Sequence, residues 1–110
     1  MGLYSGNTIA PSWAKETPTD YNVTMTDADT EYSQLLPDGT KAFSISVQDG
    51  DSTKALRIAW ATGKVATPTA PYQTYPANAV VFEDNLNLQG KTIYFACSEA
   101  AKVAQITVWL

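Results

Sequence analysis

The chain has 110 residues, of which 45% are apolar and only 16% charged, with a net charge of −4 and a pI near 4.5. That length suits one domain around one core. The seven Lys and Arg residues are scattered singly, which excludes the basic patch expected of a protein that binds nucleic acid or an anionic membrane.

Charge below the usual ~25% is replaced here by Thr, Ser, Ala, Asn and Gln. This is the composition of β proteins with polar, uncharged outer faces, and it argues against a helical bundle or a disordered chain. In chain order, residues 1–19 read as an extended N-terminal arm. Thr8, Pro11, Ser12, Thr17, Pro18 and Thr19 interrupt any period there, while Leu3, Tyr4, Ile9 and Trp13 are more apolar than a free polar leader requires. The arm is expected to dock, either on a partner or on its own domain. The opening stretch has no basic flank and no long apolar block, so no secretory signal is expected. Gly6 stands where a myristoylation motif favours Ser or Thr. No apolar run reaches the ~18 residues of a membrane-spanning helix.

Residues 20–110 then alternate as a single β domain. "YNVTM" sets Tyr21, Val23 and Met25 against Asn22 and Thr24, "DADTE" breaks the pattern, and "EYSQLL" is a weaker strand. Pro37–Asp38–Gly39 is a turn, with Pro presetting φ and Gly accepting a positive one. "KAFSISVQ" puts Phe43, Ile45 and Val47 on one face and Ala42, Ser44 and Ser46 on the other. After the "DGDS" turn, "ALRIAWA" sends Leu56, Ile58 and Trp60 inward and Ala55, Arg57, Ala59 and Ala61 outward. Pro68, Pro71 and Pro76 forbid a central strand in the following loop but allow an edge strand at "YQTY". "VVFE" is a short strand, and Leu86 and Leu88 are expected to turn back to the core. "TIYFACS" and "VAQITVWL" close the domain around "EAAK", which is too short to nucleate a helix between β flanks. Seven or eight short antiparallel strands, with a turn signal every ~8–12 residues, predict an all-β sandwich of the jelly-roll type.

The chemistry is thin. Histidine is absent, which removes the commonest general base and zinc ligand. The lone Cys97 sits in an apolar strand and reads as core. The eleven acids cluster in turns, where Asp is favoured for backbone reasons, and not as a pair facing across a cleft. "DADTE" and "DGDST" place oxygens as calcium loops begin, but neither continues to the late Glu of a full loop. The expectation is a protein without catalytic residues, cofactor or metal.

Binding is the remaining class. Phe43, Trp60, Phe82 and Phe95 are assigned to inward faces, leaving Tyr72 and Tyr75 in the proline loop and Tyr94 and Trp109 on an outer face by alternation. An outer ring must be covered by a loop, a ligand or another subunit. The small outer residues of "KAFSISVQ" and "ALRIAWA" allow close approach of another protein surface or of the second sheet. Partner contacts are therefore expected at Leu3, Tyr4, Ile9, Trp13, Tyr72, Tyr75, Tyr94 and Trp109, with a carbohydrate as the alternative ligand of the aromatics.

The runs "ALRIAWATGK", "PYQTYPANAVVFEDNLNLQGKTIYFACS" and "ITVW" resemble small virion structural proteins of tailed bacteriophages, the kind that decorate or cement the capsid. The resemblance covers about Lys41 to Leu110. It implies a jelly roll, a docking arm, and packing against the major capsid protein and copies of itself at capsomer junctions. It also implies location on the capsid surface after synthesis in the host cytoplasm. A tail or neck component, or a carbohydrate-binding host-recognition module, is the alternative.

Overall fold

The structure, a computed structural model, describes residues 18–110; the expected contacts Leu3, Tyr4, Ile9 and Trp13 lie outside them. Eight strands follow in order: β1 (Pro18–Met25), β2 (Tyr32–Leu36), β3 (Ala42–Val47), β4 (Ala55–Ala59), β5 (Gln73–Pro76), β6 (Val80–Glu83), β7 (Lys91–Cys97) and β8 (Lys102–Trp109). The described residues contain no helix. Pro18 and Thr19, expected in the arm, belong to β1, where Pro is tolerated because it opens an edge strand.

The strands form two antiparallel four-stranded sheets, ordered β1-β8-β3-β6 and β2-β7-β4-β5. Four of the pairings, β1 with β8, β2 with β7, β3 with β6 and β4 with β5, make the chain one long hairpin whose halves meet. β3 against β8 and β4 against β7 then close each sheet, so that consecutive strands alternate in sheet after the first half folds over. β8 is central, which explains its apolar inner row of Ala104, Ile106 and Val108, all buried.

Period-2 alternation fills the interior. Phe43, Ile45 and Val47 of β3 and the β8 row face Leu36, Leu56, Ile58, Ile93, Phe95 and Cys97 of the other sheet. Leu86 and Leu88 pack back against this core as expected.

The long hairpin sorts the connections to two ends. One end gathers the β1–β2, β3–β4, β5–β6 and β7–β8 turns, joined by Asp29 N–H to the Cys97 carbonyl, Ser98 N–H to Ala55, Ala77 N–H to Lys54 and Ala101 N–H to Thr26. It carries Asp27, Asp29, Glu31, Asp49, Asp51 and Glu99. The opposite end gathers the β2–β3 turn, the β6–β7 loop and the last strand, joined by Gly39 N–H to Leu88 and Lys41 N–H to Trp109.

Within the β7–β8 turn Ala101 has φ 59°, a left-handed conformation that costs a residue with a Cβ roughly 1–2 kcal/mol. Ala101→Gly should therefore raise stability by about 0.5–1 kcal/mol, the strain relief less the extra freedom of an unfolded glycine. A higher urea midpoint at unchanged slope is the expected reading.

Candidate functional site

The acidic turns are occupied by structural work. Asp29 Oδ1 accepts from the Arg57 guanidinium at 2.7 Å. Glu31 accepts from Thr62 Oγ1 at 2.7 Å and from Gly63 N–H at 2.8 Å. Asp51 accepts from the N–H and hydroxyl of Thr53, both at 2.8 Å, and these bonds, the backbone one foremost, hold its carboxyl below the ordinary value. Among the described residues, no group of three or more acids or cysteines gathers as ligands for one metal ion.

Arg57 alters the picture of the outer faces. Alternation sends it outward from β4, and it does leave the sheet on that side, yet it is buried. The proline loop folds over it: Nε donates to the Val65 carbonyl at 2.7 Å, and Val65, Ala59, Ala96 and Tyr94 form a small second core. Of the small outer residues of this sheet, Ala59 and Ala96 are thus covered by the chain's own loop, whereas Ala61 remains exposed. Tyr94 belongs to that contact, half-buried beneath the loop. Tyr75 packs against the main core.

Trp109 does face outward, on the same face as the buried Ala42 with which it pairs on β3. Its ring meets Phe82 edge-on, with centroids 5.8 Å apart and planes at 75°. Phe82 itself corrects the reading of "VVFE". Val81 pairs with Ile45 and takes the interior, so Phe82 is turned outward and is 50% exposed. Trp60 keeps its inward parity and meets Phe43 at 5.7 Å, but it lies beyond the end of β4 and remains 49% exposed.

Two surfaces result. At the end opposite the acidic turns, Trp60 and Tyr72 line an apolar cleft of about 280 Å³ with Pro71 and Gln73 between them. Leu35, 53% exposed on β2, and the terminal Leu110 lie toward the same end. Among the described aromatic residues expected as contacts, Tyr72 joins this surface, whereas Tyr75 and Tyr94 pack against the two cores. The sequence signal for Leu35 was its place opposite Gln34 and Leu36 in an alternating strand.

The second surface is the outer face of the β1-β8-β3-β6 sheet. Cross-strand register lines up Asp20, Thr107, Ser44 and Phe82 in one row, and Asn22, Gln105, Ser46 and Val80 in the next. The serines of β3 are short, and the β1, β8 and β3 members of these rows line an open trough of about 350 Å³, with Phe82 and Val80 in register beside it.

No protein-family model matches the chain, and no curated protein does. Among solved structures, it is similar to a de novo designed double-stranded β-helix determined by solution NMR. That match has 14% identity and a TM-score of 0.49, over 86% of this chain and 100% of the designed one.

Proposed function

We propose that the chain is a non-enzymatic structural protein of a tailed-phage virion, a decoration or cement protein that binds across neighbouring major capsid protein subunits and stabilises the head. The observation that carries this reading is the asymmetry between the two ends. One end gathers six acids, whereas the other presents Trp60, Tyr72, Leu35 and Leu110, beside Asp38, Glu83, Asp84 and Lys91, where β1 begins. Exposed apolar side chains gathered at one end of a small domain mark a protein contact. A domain docked by that end keeps its six-acid end turned to water.

The strand order, read as a jelly roll, and the resemblance over Lys41 to Leu110 support the same assignment. Opposing the separation of capsid subunits requires buried area and no reacting group, and about 1,600 Å² per contact is ordinary for a stable protein interface.

The test uses the full-length protein and purified heads of the phage that encodes it. Leu35→Ser and Tyr72→Ser, combined, should weaken retention on heads at least about tenfold, equivalent to about 1.4 kcal/mol. The melting temperature should move little, because both side chains are exposed. Undiminished retention, or absence of the protein from purified particles, would remove the proposal.

A further inference from the structure

We propose that the trough on the outer face of the β1-β8-β3-β6 sheet is a binding site for a neutral sugar. Its lining is six side chains, Asp20, Asn22, Ser44, Ser46, Gln105 and Thr107, drawn from β1, β3 and β8. They supply two amides, three hydroxyls and one carboxylate. Thr107 Oγ1 donates to Asp20 Oδ1 at 2.7 Å, which fixes the carboxylate and leaves its other oxygen to accept. Among the described residues, Asn22, Ser44, Ser46 and Gln105 make no side-chain hydrogen bond, so their donors and acceptors are open to a ligand.

Beside the trough, in register next to Ser44 and Ser46, β6 turns two apolar side chains outward, Phe82 and Val80. Phe82 is half exposed, and the edge-on contact with Trp109 holds its ring; Val80 stands beside it. A ligand that fills this polar lining and reaches the Phe82 ring beside it has hydroxyls along one edge and an apolar C–H face on the other, with no charge. A pyranose has that chemistry, and an anion would be opposed by Asp20. Side chains on paired strands are held more rigidly than those on loops, which lowers the ordering cost of binding. The trough lies on a sheet face, away from the end carrying Trp60 and Tyr72, so sugar binding and head attachment can fail separately.

The experiment titrates the full-length, ¹⁵N-labelled protein with free glucose, galactose, mannose, N-acetylglucosamine and short oligomers of each, following amide shifts. At least one should move the signals of Asn22, Ser44, Ser46 and Gln105 together. Phe82→Ala should weaken that ligand about tenfold by removing the stacking face. Asn22→Ala, at an exposed strand position, should weaken it with an unchanged melting temperature. No shift with any of these sugars, shifts confined to the Trp60–Tyr72 cleft, or unaltered affinity in both variants would overturn the site.

Discussion

Gly50→Ala is expected to cost about 3 kcal/mol or more, and to be among the most damaging single substitutions in the domain. Gly50 is required for a close approach, not for an unusual dihedral. A Cβ on it would lie inside contact of the Ala77 carbonyl oxygen, 2.6 Å from the carbonyl carbon and 3.2 Å from the Asn78 nitrogen. All three atoms are backbone, so no side chain can swing aside. Ala77 cannot easily retreat either: it is fully buried, and its N–H donates to the Lys54 carbonyl at 2.8 Å. The methyl group must therefore part the β3–β4 turn from the β5–β6 turn and open the acidic end of the sandwich. Gly39→Ala is the control, since nothing lies within 4 Å of its added Cβ and only its positive φ of 83° is penalised. That variant should lose about 1 kcal/mol. Paired urea titrations settle the matter, and equal losses in the two variants would contradict the close-approach argument.

Arg57→Met should lower stability by about 2–3 kcal/mol and release the proline loop. Methionine keeps the apolar stem but donates nothing, leaving the Val65 carbonyl without its partner in a buried place. The Asp29 pair adds little to this sum, because its carboxylate is 55% exposed and screened by water. Arg57→Lys should rescue little: one ammonium cannot reproduce the planar fork that reaches both Val65 and Asp29. The melting temperature should fall on the order of 10 °C, and limited proteolysis should cut within residues 61–72. A loop as protected as in the parent chain would show that Glu31, through Thr62 and Gly63, holds it unaided. Because the loop carries Tyr72, the same variant should also lose the apolar cleft.

Much of the fold was legible where two residues per repeat carried the information. β3 and β8 alternate without error, and Pro37–Asp38–Gly39 and the "DGDS" turn are punctuated by residues whose backbone preferences admit few alternatives. The edge position of "YQTY" followed from its flanking prolines, and β5 is indeed at a sheet edge. "VVFE" was misassigned because four residues with three apolar in succession have no period. Only pairing of Val81 with Ile45 decides that Phe82 faces out. Arg57 shows the complementary failure, since its outward direction was read correctly but its burial depends on a loop that returns over it.

The candidate sites were less legible for the same reason. Asp20, Ser44 and Thr107 lie far apart in the chain and become neighbours only through the β1–β8 and β3–β8 registers. No local spacing encodes that row.

Local chemistry, by itself, determined an all-β domain, its strands and turns, the interior place of Cys97 and the outward direction of Trp109. Alternation and turn preference act over a few residues and can be read from them. The tertiary structure alone decided that Phe82 lies beside Trp109, that the proline loop covers Arg57, and that Trp60 and Tyr72 meet at the end opposite the six acids of the turns. Those outcomes depend on which distant strands pair and in what register, and that choice is made by the whole core at once.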